Sequence, residues 1–297
     1  MDRSRLAVST WSLHESLGPR MLLKRDANGV KQPHFLPHPK TMTLADFFDC
    51  VRAEVDVDNV ELCAFHVDHR VPASSAEINR ALARNGLKVI SMPIDAGNIS
   101  VANPVWLEDD LREIEGWMDF AADLGARYVR ANASSYVARD EALAPLDVTI
   151  SSYRRLCDYA EARGMVMTIE NHGGITTDPD VILQIIQGVG GDRLKVCYDT
   201  ANFPPVAGVQ MLANPPEVDT APLYDGLKKI APYVGIIHAK VIALDENLRH
   251  RPYDLERTLR FTIDAGFTGP VSIEYGAGVD EWENCRRTKR LLERVFG

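Results

Sequence analysis

Arg163-Gly164-Met165-Val166-Met167-Thr168-Ile169-Glu170 contains, in order, a helix end, a glycine, an apolar strand and a carboxylate. Glycine is favoured just past a helix because it tolerates the left-handed conformation that closes the last turn. The same helix–glycine–strand order recurs at Asn85-Gly86, Leu124-Gly125 and Ala265-Gly266. Working outward from these junctions predicts strands at 6–11, 59–64, 87–94, 127–132, 165–170, 195–200, 234–241 and 271–275. Helix-like segments lie between them, near 43–54, 74–85, 106–125, 147–163, 178–189, 219–231, 253–265 and 280–295. Thr43, and Ser74-Ser75 with Glu77, suit the starts of the first two helices. Strict alternation of strand and helix predicts an α/β fold, a single-domain (β/α)8 TIM barrel over residues 1–297. A doubly wound open sheet is the alternative. It would carry a glycine-rich turn after its first strand, and Trp11-Ser12-Leu13-His14 is not one.

Four of the strands end in a side chain able to bind a metal: Glu170, Asp199, His238 and Glu274. They follow one another by 29 (199−170), 39 (238−199) and 36 (274−238) residues. One βα unit takes roughly 30–40 residues, so successive units deliver these groups to the same barrel mouth. Each follows apolar residues and is expected to be buried, where an unpaired charge is costly. One divalent cation neutralises three carboxylates most simply. The donor set favours Mn²⁺ or Mg²⁺, and the imidazole leaves Co²⁺, Zn²⁺ or Fe²⁺ open.

The net charge of −9 argues against a nucleic-acid groove, which needs a surplus of Lys and Arg. The five scattered cysteines suit a reducing compartment, and there is no apolar run long enough to span a membrane. Without a signal-peptide pattern at the start, a cytoplasmic location is expected. Two connections exceed ordinary loop length, 12–42 and 202–218. Both follow strands, so both belong to the catalytic face, where long loops act as lids or specificity elements.

Ile169-Glu170-Asn171-His172, Tyr198-Asp199-Thr200, Ile237-His238-Ala239-Lys240 and Ser272-Ile273-Glu274-Tyr275 resemble strand-end motifs of the sugar phosphate isomerase/epimerase-like family. This is the xylose isomerase-like TIM-barrel group. The resemblance implies that Glu170, Asp199, His238 and Glu274 bind the metal, and that Glu170 and Glu274 also exchange protons with substrate carbon. Several members carry His three residues after the Asp. Here that position is Asn202, which with the acidic charge makes an endonuclease IV-type DNA-repair activity a poor fit.

A carboxylate can take the proton α to a carbonyl while a metal stabilises the developing enediolate. Return of the proton from the other face epimerises; return to the neighbouring carbon isomerises. Loss of a β-substituent makes a lyase, acting on a keto-inositol or a keto-glycoside. The leading expectation is a divalent-metal-dependent isomerase or epimerase of a small sugar or keto-polyol. A non-catalytic sugar-binding barrel is the other class, and a homo-oligomer is compatible with either.

Substrate contacts are expected from His172 and Lys240, each two residues beyond a ligand and so on the same strand face. Trp11, Asn202, Phe203 and His66 are further candidates, and Glu61 is placed to reach the pocket. His250-Arg251 reads as an exposed basic pair. Gly276-Ala277-Gly278 stands where many barrels bind phosphate, but Asp280 and Glu281 would repel it, so no phosphorylated substrate is inferred.

Overall fold

The computed structural model describes residues 2–26, 28–71, 73–134, 141–190, 192–212, 214–276 and 278–297. Eight parallel strands close into a barrel: β1 (Leu6–Ser9), β2 (Asn59–Glu61), β3 (Lys88–Ile94), β4 (Tyr128–Ala131), β5 (Val166–Glu170), β6 (Leu194–Asp199), β7 (Val234–Val241) and β8 (Val271–Tyr275). They neighbour one another in chain order, and β8 closes the ring against β1.

Outside them lie α1 (Leu44–Cys50), α2 (Ser74–Asn85), α3 (Pro104–Asp123), α4 (Leu146–Glu161), α5 (Pro179–Val189), α6 (Ala221–Ile230), α7 (Leu255–Asp264) and α8 (Glu281–Phe296). Each presents an apolar stripe to the sheet. On α7 the buried residues are Leu255, Thr258, Leu259 and Thr262, the i, i+3, i+4, i+7 spacing of one helix face.

The four junction glycines behave as expected: Gly86, Gly125, Gly164 and Gly266 have φ of 59°, 71°, 71° and 82°. Thr43 forms a capping box with Asp46, its side chain accepting from the Asp46 N–H. The capping expected from Ser74-Ser75 does not form. The helix already begins at Ser74, behind Ala73, with no side-chain cap.

β1 stops at Ser9, because Ser9 Oγ accepts from Trp11 N–H and turns the chain into a short 3₁₀ segment. β2 stops at Glu61 for a similar reason: the Cys63 N–H donates sideways to Thr10 Oγ1. The connection 12–42 is largely ordered rather than irregular. Arg20–Arg25 and Lys31–Leu36 form an antiparallel hairpin, turning through Asn28-Gly29 with Gly29 at φ 79°. Ion pairs from Arg25 to Asp110 and Lys31 to Glu113 fasten it to α3. Among its described residues, the connection 202–218 holds one 3₁₀ turn, Val206–Gly208.

Candidate active site

Strand register assembles the charged cluster. Residues two apart on a strand share a face, so His238 and Lys240 of β7 both point into the barrel. Pairing places Asp199 of β6 beside His238, and Ser272 and Glu274 of β8 beside His238 and Lys240. Glu170, Asp199, His238 and Glu274 are all buried, at 5% exposure or less.

His238 is the hub. Its Nδ1 lies 3.3 Å from Glu170 Oε1 and 3.3 Å from Glu274 Oε1. Its Nε2 lies 2.9 Å from Glu61 Oε2, whose other oxygen accepts from Ser272 Oγ at 3.1 Å. Burial opposes a charge on the imidazole, but the carboxylates of Glu274, Glu61 and Glu170 outweigh it and raise its pKa well above the usual value. Cys197 Sγ is 3.1 Å from Nε2. Burial pushes this thiol up to about 12, so it stays protonated and is a weak partner rather than a soft anionic ligand.

Two cations face the carboxylates. Lys240 Nζ donates to Glu274 Oε2 and lies 3.3 Å from Asp199 Oδ2. Arg130 Nε lies 2.9 Å from Glu170 Oε2, while its Nη1 donates to Asp95 at 2.8 Å. For Glu170, burial favours the neutral acid, yet Arg130, His172 and His238 outweigh it and hold the carboxyl well below the usual range. Asp199 is different. Burial, opposed by Lys240, lifts it to about 6.

The donor set fits a divalent ion. His238 Nδ1 stands between two carboxylate oxygens, and Glu61 on Nε2 would fix the tautomer that turns Nδ1 toward them. Asp199 Oδ2 and Glu170 Oε2 are buried and make ion pairs with Lys240 and Arg130 without a well-aligned hydrogen bond. Glu61, Glu170, Asp199, Glu274 and Asp95 together exceed the charge of Lys240 and Arg130, so added positive charge is accommodated rather than repelled.

Above this floor opens a cavity of about 430 Å³, reached by Glu170, Glu274, Lys240, Arg130, Asp95 and His172. Trp11, Leu36, Phe65 and Met211 supply its apolar walls, and Asn202 Nδ2 donates to Glu170 Oε1 at 3.1 Å. Of the candidate contacts, His172, Lys240, Trp11 and Asn202 therefore line the cavity. Phe203 and His66 do not. Phe203 is 2% exposed and packs where α6 comes close at Gly226, where an added Cβ would lie 2.9 Å from the ring. His66 does not line the cavity; it is largely buried with its ring edge-on to Phe65, 4.6 Å between centroids, and burial depresses its pKa to about 3.

His250 is not an exposed base. It is buried, its Nε2 accepting from Ile242 N–H at 2.8 Å and its Nδ1–H donating to the Tyr253 carbonyl at 3.0 Å. Ala277 lies outside the described residues. Glu61, Asp95 and Arg130 are the contributors from the first half of the chain. Each is a charged residue in or just after a short apolar strand, the same signal that marked the tetrad.

A (β/α)8 barrel whose mouth gathers carboxylates, the His238 and His172 imidazoles and the cations Lys240, Arg130 and Arg20 over a polar floor defines a class of barrel enzymes. The sequence profile of the xylose isomerase-like TIM barrel matches residues 52–293, and the chain belongs to that family. A magnesium complex of a xylose isomerase-like TIM barrel protein from Mycobacterium smegmatis superposes with TM-score 0.64 at 18% identity, covering 99% of this chain and 98% of that one. The E. coli 3-keto-D-glucoside 4-epimerase superposes with TM-score 0.64 at 14% identity, covering 98% and 99%. In sequence, the chain is 27% identical over 185 residues to the 3'-dehydrocarminate deglycosidase alpha subunit of a Microbacterium species. That match takes in 61% of this chain and 48% of the relative, so the chain spans about half the length of the curated relative it matches. Among the described residues, no helix is long and apolar enough to cross a membrane.

Proposed function

We propose that this protein is a divalent-metal-dependent isomerase or epimerase of a small sugar or keto-polyol, working by proton transfer α to a carbonyl. One observation carries the reading: Glu170 and Glu274 converge on His238 Nδ1, 3.3 Å each, while both open to the same cavity. In this reading Glu170, Asp199, His238 and Glu274 hold the ion, Mn²⁺ or Mg²⁺ by the chemistry of the donors. When bound, the ion would supply Lewis acidity to a substrate carbonyl.

The chain's own groups do the rest. Arg130 keeps Glu170 ionised and Asn202 donates to it, so Glu170 stands ready as the base. Glu274 serves as the second proton carrier, with Lys240 donating to it. His172 and Lys240 meet substrate oxygens, and Trp11 forms the wall against the ring. All five cysteines are free, which agrees with a cytoplasmic location.

A second reading is a lyase that expels the aglycone of a keto-glycoside after the same proton abstraction. The match to the deglycosidase subunit favours it, and would bring a partner subunit with it.

The test is solvent deuterium exchange on a panel of keto-sugars and keto-glycosides, with metal content measured in parallel. Deuterium at the carbon α to the carbonyl, lost in Glu170→Gln, supports both readings. Release of an aglycone selects the lyase. No exchange across the panel by metal-loaded protein overturns the proposal.

A further inference from the structure

A second cavity of about 300 Å³ adjoins the first, and Phe65 and Asp95 line both. The hairpin roofs the two together: Leu22 and Leu23 cover the second, while Arg20 and Leu36 cover the first. The far wall of the second cavity is Trp117 of α3, with the His69 ring against it at 4.0 Å between centroids.

The charges at its rim are already satisfied. Lys31 pairs with Asp109, Asp110 and Glu113, Arg70 with Asp68, Arg112 with Glu108, and Asp95 with Arg130. A charged ligand would find no uncommitted counter-ion among them. What remains is an apolar slot walled by Phe65, Leu23 and Trp117.

We propose that this slot is an aglycone subsite. It takes a neutral aromatic group carried by the sugar, held between Phe65 and Trp117. The substrate class is then an aryl glycoside rather than a free sugar. The link to a sugar rests on the function proposed above; the affinity of the slot for an aromatic group does not.

Two measurements separate these parts. The first is titration of the protein with 2-naphthol, a neutral aromatic hydroxyl compound without a sugar, followed by ligand-observed NMR. Saturable binding is expected, weakened about tenfold or more when Ala96→Phe or Leu23→Trp fills the slot. Thermal melting verifies that each variant is folded. Failure of wild type to bind 2-naphthol, or unchanged binding in both folded fillers, overturns the subsite whatever the reaction is. The second compares calorimetric affinities for phenyl and methyl 3-keto-glucosides. The phenyl compound is expected to bind about tenfold tighter, with the ratio collapsing in the fillers. Equal affinities would overturn the placement of the aromatic group on the sugar, whereas loss of proton exchange alone would count against the function and not the slot.

Discussion

The two halves of the barrel mouth share one architecture but carry different chemistry. Strands β5 to β8 carry Glu170, Asp199, His238 and Glu274: Glu170 and Glu274 meet at His238 Nδ1, and Asp199 lies beside Lys240. Strands β2 to β4 contribute Glu61, Asp95 and Arg130, which orient and neutralise those groups. The second half presents the carboxylates and imidazole of the candidate site; Glu61 and Arg130 of the first half pair with His238 and Glu170. Buried charges are tolerable only when paired, so neither half is stable in its present ionisation without the other.

The contrast can be broken from either side. Glu170→Gln should lower the rate of proton exchange about a thousandfold, with little loss of structure, as expected for removing a general base. Steady-state and exchange rates on the panel read this, and a variant within tenfold of wild type would remove Glu170 from the chemistry. Arg130→Met should act on folding instead. It leaves Glu170 and Asp95 buried without their shared cation, at a cost of about 4 kcal/mol in urea unfolding. A variant as stable as wild type would show that Arg130 is not the counter-charge of this cluster.

His250 sharpens the comparison, because it lies in the second half yet serves the scaffold. Its folded-state pKa is depressed by burial to about 4, below the ordinary 6.5. The stability of its neutral form is therefore complete above pH 6.5 and drains away as pH falls toward 4, by about 3 kcal/mol. Between those pH values wild type should lose about that much more unfolding free energy than His250→Asn. Parallel curves would place the acid sensitivity elsewhere. The smallest effect is expected from Glu61→Gln, which touches no substrate-facing atom. Calorimetric Mn²⁺ titration should show affinity reduced about 10- to 100-fold, the usual consequence of losing a carboxylate that orients a ligand imidazole.

The tetrad was legible in the chain because β5 to β8 are largely apolar runs that each carry a carboxylate or imidazole in their second half. The supporting half carried the same mark more faintly. Arg130 sits inside a four-residue strand and Glu61 closes a three-residue one, too short for a pattern to stand out. The hairpin had a signal in Asn28-Gly29, obscured by the prolines around it. Phe203 and His66 were placed near the pocket by position alone; Phe203 packs instead against Gly226 and the His66 ring against Phe65, and neither lines the cavity.

The sequence by itself determined the alternation of strand and helix, the glycine-closed junctions and the strand-end groups, because periodicity and local backbone preference act within a few residues. Tertiary structure alone decided which charges meet. Register across β6, β7 and β8 sets Asp199 beside His238 and Glu274 beside Lys240, and closure of the barrel brings Glu61 to the far side of the imidazole. Those contacts join residues up to 177 positions apart, and only the folded barrel brings them within hydrogen-bonding reach.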